Sequence, residues 1–381
     1  MKLIHTSDWH LGMTLRGGSG YEADQRAFIE EIIKIAVREK AEGIIIAGDV
    51  FDKSVASREA LQIYDETMTR ICGDLKIPVY LIAGNHDGAE RISGCSRLLK
   101  NSGLHIAGTL TADPEPVTVG DTDIYLLPWI STDRVKALYP EYAESIVSME
   151  DAFRVVLDRI RERFTPGQKN ILVAHAFILD AETSESDRAA EVGKATMVSA
   201  SLFEGFDYVA LGHLHGPQDV NERIRYSGSP MAYSFGKEEK QEKSVTLIDT
   251  GDMSRKVIPL PELHKRLTLS GSFEELMKAD FSEDILDAYI RLEIKDSYVG
   301  MDSIAAFREK YRNLLEISSR GFEKEDAKIT MTMEEFEKAD KDPETIFERY
   351  CMDIMEEAPG EHLTGLFKAA LTRSMKEKEE A

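Results

Sequence analysis

The sequence predicts an α/β fold, a layered sandwich of mixed β-sheets flanked by helices, with a small α+β domain behind it and a pair of helices at the C-terminal end. Three observations carry that prediction. Apolar, β-rich runs alternate with helical patterns over the first hundred residues; further short strands follow without intervening long helices; and motifs of Asp, Asn and His stand directly after several of the runs. Alternating strands and helices followed by more strands is the pattern of layered sheets covered by helices.

Residues 2–107 read as β-α-β-α-β-α. A short strand precedes a helix over 21–40, where Phe28, Ile32, Ile35 and Ala36 share one face. A strand at 43–47 follows, then a helix over 57–72, a strand at 78–83 and a helix over 91–101 closed by Gly103. Residues 117–119 and 124–127 form a hairpin around Gly120-Asp121. A helix spans 149–164, and strands are expected at 170–174, 208–211, 223–227 and 244–249. The paired prolines Pro259 and Pro261 mark a boundary, so that 1–260 is one domain. Beyond it, 261–320 repeats β-α-β-α-β in a small capping domain: strand 266–270, helix 272–279, strand 288–294, helix 302–314 and strand 316–319. Residues 321–342 are a polar, charged linker. Asp342-Pro343-Glu344 then opens a helix-loop-helix over 343–381, Asp as N-cap and Pro at the first helical position. Ile346, Phe347, Tyr350, Ile354 and Met355 make a stripe on its first helix, and Leu363, Phe367, Ala370 and Leu371 on its second.

With 381 residues and 42% hydrophobic content, the chain can bury a large core over more than one domain. Cys72, Cys95 and Cys351 are far apart and form no CxxC pair, which points to a reducing compartment and no disulfide frame. The first residues lack the apolar stretch of a signal peptide, and no apolar run approaches the ~18 residues of a membrane span. A soluble cytoplasmic protein is expected. The net charge of −22 argues against tight binding of nucleic acid by this chain alone. Divalent ions held in a cluster of carboxylates and imidazoles would nevertheless present a local positive charge to a phosphodiester.

Five short motifs end in metal-ligand side chains: Ser7-Asp8-Trp9-His10, Gly48-Asp49-Val50-Phe51-Asp52, Gly84-Asn85-His86-Asp87, Ala174-His175 and Gly212-His213-Leu214-His215. They hold five of the nine histidines, and the first four follow apolar runs at 2–5, 43–47, 79–83 and 171–173. Strands ending at one rim would bring the motifs together. On an extended chain, residues i and i+2 point the same way, so Asp8 with His10, and His213 with His215, can each grip an ion. Asp49 can bridge two ions through its two oxygens, Asn85 offers a neutral amide oxygen, and His175 completes the set. Carboxylate, amide and imidazole without cysteine suit manganese, iron or zinc more than calcium. Two such ions would serve a phosphoryl displacement. His86 directly follows a ligand, should point away from that ion, and suits protonation of a leaving alkoxide.

Each motif has a plainer explanation. Gly84-Asn85-His86-Asp87 alone is a turn, and His213 and His215 alone are half-buried strand histidines. Asp52 is read as an N-cap for the following helix rather than a ligand, and Trp9 as packing beside the site. Occurring together in this order, the five motifs read as a two-metal phosphoesterase site.

These motifs with their neighbours resemble the SbcD nuclease family, relatives of the eukaryotic and archaeal double-strand-break repair nuclease among the calcineurin-like metallophosphoesterases. Ser7 to Gly12, Ala47 to Asp52, Ala83 to Asp87 and Leu211 to His215 carry the match. Tyr226-Ser227-Gly228-Ser229-Pro230 and Tyr233-Ser234-Phe235 are similar to SbcD rather than to phosphatases. The resemblance is specific over residues 1–250 and weaker beyond. It implies the metallophosphoesterase fold, one ion on Asp8, His10, Asp49 and His215, a second on Asp49, Asn85, His175 and His213, and His86 as the catalytic, non-ligating histidine. It also implies manganese, a homodimer, and a partner resembling SbcC, a P-loop ATPase with a long coiled coil. The expected function is a Mn²⁺-dependent DNA exonuclease and hairpin or single-strand endonuclease in DNA repair, recombination and replication. A phosphatase or cyclic-nucleotide phosphodiesterase on the same site is the alternative, and a docking subunit with a vestigial site is a third reading that seven intact ligand positions oppose. Arg16, Arg58, Arg91 and Arg188, near the motif loops, are the candidate DNA contacts.

Overall fold

The computed structural model describes residues 1–14, 20–179, 181–184, 197–296, 301–319, 347, 360 and 364–368. The chain divides into two compact units, residues 1–293 with 301–317, and residues 294–300 with 318–381.

In the first unit the chain lays down four parallel strands, β1 (Lys2–Thr6), β2 (Gly43–Ala47), β3 (Val79–Ile82) and β4 (Leu104–Ala107), side by side in that order. Helix α1 (Glu22–Glu39) connects the first pair and α2 (Arg58–Met68) the second. Two short helices, α3 (Ala89–Ile92) and α4 (Ser96–Leu99), lead into β4. A second sheet starts with the hairpin β5 (Val117–Val119) and β6 (Thr122–Leu127), continues through helices α5 (Thr132–Leu138) and α6 (Met149–Arg161) to β7 (Lys169–His175), and is followed by a small ribbon, β8 (Phe177–Ile178) with β9 (Met197–Val198). Then come β10 (Tyr208–Gly212), β11 (Gln218–Asp219) and β12 (Ile224–Tyr226), completing the order β11-β12-β10-β7-β6-β5. The chain returns to the first sheet with β13 (Ser244–Asp249), antiparallel to β1, and β14 (Ser254–Pro259) at its edge.

Period-two patterning explains the layers. Leu3, Ile45, Tyr80 and Ile82 of the first sheet meet Ile124, Ile171, Val173 and Tyr208 of the second in one buried cluster. The alternate residues Ile4, Ile44, Ile46 and Leu81 face outwards onto Phe28, Ile32 and Ile63 of the helices. Val156, Leu157 and Ile160 of α6 cover the far face of the second sheet. The result is helix, sheet, sheet, helix, as the sequence predicts.

Downstream, β15 (Arg266–Gly271), β16 (Tyr289–Ile294) and β17 (Leu314–Ser319) form a three-stranded sheet with α7 (Phe273–Lys278), α8 (Glu283–Leu286) and α9 (Met301–Lys310). Ser272 caps α7 in a capping box with Glu275. This small domain is tied to α1: the Tyr289 hydroxyl donates to Asp24 (2.7 Å), and His264 Nδ1 lies 2.9 Å from the same carboxylate.

Several expectations need correction. The helix expected over 91–101 is broken, because Cys95 takes a left-handed conformation (φ 59°) between α3 and α4. Helix α5, capped by Ser131, was not legible in the pattern, nor was β4. Asp52 is not an N-cap: α2 is capped by Ser57, whose hydroxyl accepts from the Ala60 N–H. In the second unit, the Phe347 and Phe367 rings stack with centroids 4.2 Å apart. The linker 321–342 and Ile346, Tyr350, Ile354, Met355, Leu363, Ala370 and Leu371 lie outside the described residues. Among the described residues, no helix is long and apolar enough to cross a membrane.

Candidate metal centre

All five motifs stand at or just after the ends of strands: β1, β2, β3, β7 and also β10. The ends of β2, β7 and β10 meet closely enough that a Cβ on Gly212 would stand 1.9 Å from the Ala47 carbonyl oxygen. Glycine is therefore the residue that lets β10 deliver His213 and His215 to the same rim. His5, upstream in β1, stays a core histidine against Tyr208 (3.0 Å) and the Leu211 carbonyl (3.1 Å), and burial pushes its pKa down to about 3.

The shared orientation of Asp8 and His10 does not come from an extended chain. β1 ends at Thr6, and Asp8 (φ 54°), His10 (φ 44°), Asp49 (φ 50°) and His213 (φ 105°) all have positive φ. Such conformations in non-glycine residues cost roughly 1–3 kcal/mol each and persist only where the surroundings impose them. The surroundings here are specific. The N–H groups of Asp8 and His10 donate to Gly48 and Asp49 carbonyls (3.0 Å each), and the His213 N–H donates to both oxygens of Asp8 (3.0 and 3.2 Å). Asp87 latches two motif loops together, accepting from the N–H groups of Gly84 (2.9 Å), Phe51 (2.8 Å) and Val50 (3.2 Å).

Three overlapping groups of ligand atoms result: Asp8, His10 and His215; His10, Asp49 and His86; and Asp49, His175 and His213. In the first, Nε2 of His10 and Nε2 of His215 face each other at 3.0 Å. In the third, His175 donates from Nδ1 to the Ala47 carbonyl (2.8 Å), which aims Nε2 at Asn85 Oδ1 (3.0 Å) and Asp49 Oδ2 (3.2 Å). Asn85 Oδ1 also lies 3.0 Å from His213 Nδ1. Asp49 Oδ2 sits between the groups, 3.9 Å from His10 Nε2, while Oδ1 accepts the His86 N–H (2.8 Å). Asp49 Oδ2 thus faces both His10 and His175.

The electrostatics are those of a site built for cations. Asp8, His10, Asp49, His175, His213 and His215 are all buried. Burial pushes Asp8 up to about 6 against the pull of His175 and His215, and, reinforced by His175, drives His213 down to about 3. Burial also lowers His10 well below its ordinary value. Burial opposes ionised Asp49, yet His175, His10 and His86 outweigh it and hold the carboxyl below the usual range. Imidazole nitrogens and acceptor oxygens crowded at hydrogen-bond distance are what a pair of divalent ions would satisfy. The donor set fits such ions.

His86 lies in a bend rather than on an extended chain, edge-on to His10 with centroids 4.9 Å apart, and Nδ1 donates to the Asp52 carbonyl (2.9 Å). It therefore stands beside His10 and Asp49. Trp9 is fully buried, packs on Phe28 and donates to Thr6 Oγ1 (3.0 Å), in keeping with a packing role. Of the candidate DNA contacts, Arg58 is exposed and Arg91 donates to the Ser54 carbonyl (2.6 Å); Arg16 and Arg188 lie outside the described residues. Sequence reading missed Trp129, stacked on His213 at 5.5 Å, and gave Tyr233 a family likeness but no place at the site, where its ring lies 5.5 Å from His10 and 5.7 Å from His215. It also missed Glu238 and Lys243 behind His215, which stand in a charge run that reads as surface.

The family described as calcineurin-like phosphoesterase matches residues 1–217, and the type 5 capsule protein repressor C-terminal domain matches residues 264–353. The SbcD subunit of nuclease SbcCD from Staphylococcus saprophyticus is 31% identical over 367 residues, covering 96% of this chain and 95% of that protein. Its namesake from Staphylococcus epidermidis is 29% identical over 361 residues, 94% of each chain. Among solved structures, TT1561 of Thermus thermophilus overlays 68% of this chain and 99% of that one, with 12% identity and a TM-score of 0.37.

Proposed function

Since the chain belongs to the calcineurin-like phosphoesterases, and at 31% identity to their SbcD nuclease branch, we propose that it is the nuclease subunit of an SbcCD-type complex. In this reading it is a two-metal phosphodiesterase, cutting double-stranded DNA ends exonucleolytically and hairpins or single strands endonucleolytically, in repair, recombination and replication. The observation that carries the reading is the convergence of ligand atoms around Asp49 Oδ2, between His10 on one side and His175 on the other.

We assign one ion to Asp8, His10, Asp49 and His215, and the other to Asp49, Asn85, His175 and His213. When bound, two divalent ions supply charge for the phosphoryl oxygens and a water acidified towards neutrality. The carboxylate, amide and imidazole set favours Mn²⁺. This chain's own residues do the rest. The Ala47 carbonyl fixes the tautomer of His175, and the Asp52 carbonyl keeps a proton on Nδ1 of His86. The proton His86 exchanges is then at Nε2, where it would go to the leaving alkoxide. A ligand role for His86 is the second reading, favoured by its grouping with His10 and Asp49.

Residues 1–260 form the nuclease domain in this proposal, 261–320 the capping domain, 321–342 a linker and 343–381 the docking element for an SbcC-like P-loop coiled-coil ATPase. A homodimer belongs to the same reading. The cytoplasm is the expected location. The deciding experiment offers the protein linear duplex DNA and a small aryl phosphate, with Mn²⁺ and with Mg²⁺. Mn²⁺-dependent shortening of the duplex is expected. Turnover of the aryl phosphate with intact DNA would make it a phosphatase instead.

A further inference from the structure

Residues 237–243, Lys-Glu-Glu-Lys-Gln-Glu-Lys, have the composition of a solvated face, yet Glu238 and Lys243 have no measurable exposure. Their charges meet at 2.9 Å (Lys243 Nζ to Glu238 Oε2). Lys243 also donates to the His215 carbonyl (3.0 Å) and to Ser229 Oγ (3.0 Å), so its three protons have three partners. Glu238 accepts from the Tyr233 N–H (3.0 Å), Ser234 Oγ (2.5 Å) and Ser184 Oγ (3.3 Å), and Oε1 stands 3.8 Å from Nδ1 of His215.

Burying two charges costs desolvation that a pair of apolar side chains of equal volume would avoid, so stability alone is a poor reason for such a pair. The geometry points to a different role. We propose that Glu238 and Lys243 are positioning residues for His215, and through it for one of the two ions, a role that rests on the two-ion reading above. Lys243 fixes the main chain of His215 from behind. The Glu238 carboxylate stands 3.8 Å away on the Nδ1 side of the ring, where its negative charge favours the proton on Nδ1 and a free Nε2 facing His10 Nε2 at 3.0 Å. A carboxylate behind a ligating imidazole orients the ring and raises its basicity. The Tyr233 N–H on the same carboxylate sets the ring that packs edge-on to both His10 and His215. The polar contacts of the other ligand group, Asn85, His175 and His213, run to Ala47, Asp8 and Asp49 instead. The pair therefore acts on one ion site and spares the other.

That asymmetry is measurable in the full chain, by counting Mn²⁺ with isothermal titration and electron paramagnetic resonance beside the melting temperature of the metal-free protein. The double variant Glu238→Gln, Lys243→Met removes both buried charges together. It should melt near the wild type and keep one ion at wild-type affinity, while the other binds at least ~10-fold more weakly. Both ions bound as in the wild type would overturn the proposal, as would equal weakening of the two, which is what general loosening gives. Should the double variant not fold, Lys243→Arg and Glu238→Asp decide. The arginine keeps charge and donors and should bind both ions normally; the aspartate keeps the ion pair's charge but draws the carboxylate back, and should weaken one ion alone. Unaltered binding of both ions by Glu238→Asp would overturn the positioning role. A wild-type protein that binds fewer than two ions would overturn the two-ion reading instead.

Discussion

A single methyl group at Gly84 should disable the metal centre. A Cβ there would lie 2.1 Å from Asp49 Oδ1 and 2.5 Å from the Asp49 nitrogen. Ordinary contacts between heavy atoms begin near ~3.5 Å, so carboxylate and methyl must separate by about 1.4 Å. No direction is free. Asp49 Oδ1 holds the His86 N–H, the Asp49 carbonyl holds the His10 N–H, and the Gly84 N–H is tied to Asp87 at 2.9 Å. Overpacking of this kind costs about 1–3 kcal/mol, which a core of this size survives. Function should not survive, because a 1 Å misplacement of a reacting group can cost ~100-fold. Gly84→Ala should therefore fold with a lowered melting temperature, bind Mn²⁺ ~10-fold or more weakly, and cut duplex DNA at ~1% of the wild-type rate or less. Gly73→Ala is the control, since a Cβ there meets only the Thr69 methyl at 3.7 Å. Calorimetric titration with Mn²⁺ and a gel assay on linear duplex suffice. If Gly84→Ala binds two ions at wild-type affinity, Asp49 does not bridge them.

Four other outcomes follow from the same geometry. His86→Ala should abolish cleavage with two ions still bound, whereas Asp49→Ala should lose metal and activity together; loss of an ion from the His86 variant would make that residue a ligand. Burial opposes the charged form of His175, but Asp49 outweighs it and pushes the imidazole up to about 9. Metal-free protein thus holds that proton at neutral pH, and Mn²⁺ binding near about pH 7.5 should release about one proton. Affinity should rise with pH towards about 9, and titrations in buffers of different ionisation enthalpy that show no release would refute this. With a net charge of −22, the isolated chain should bind duplex DNA weakly and with a shallow salt slope; steep, tight binding in a salt series would contradict it. Deleting residues 343–381 should leave Mn²⁺-dependent nuclease activity intact and abolish stable association with the ATPase, read by co-purification.

The sequence disclosed most of the architecture because the buried strands announce themselves. Gly43–Ala47 and Val79–Ile82 are apolar without interruption, which only strands covered on both faces require. Cooperative placement was harder to see. The break at Cys95 turns on one backbone angle, and α5 is short, with Val135 its one buried side chain. The candidate ligands stand out in the sequence as a set, and the structure gathers them, yet by a route other than the one the spacing suggested. Asp8 and His10 share a site because both adopt left-handed backbone, not because an extended chain alternates.

That difference bears on how the centre works. Asp8, His10, Asp49 and His213 are held in strained backbone by hydrogen bonds from neighbouring motifs, among them Gly48, Asp49 and Asp8 itself. Each motif is thus a support for the next, and none has its geometry alone. A charge run follows the same logic in reverse. Lys237 to Lys243 looks like surface because composition reports the average, while Glu238 and Lys243 are taken inside by the particular acceptors and donors at His215, Ser229, Tyr233 and Ser234. Buried charge and strained backbone both cost stability, and both converge on the same few ligand atoms. Two costs accepted at one place, with lone pairs left facing each other, are coherent once divalent cations complete the site. It follows that metal should be the principal stabiliser of this rim, and that chelation should loosen the motif loops before it unfolds the sheets behind them.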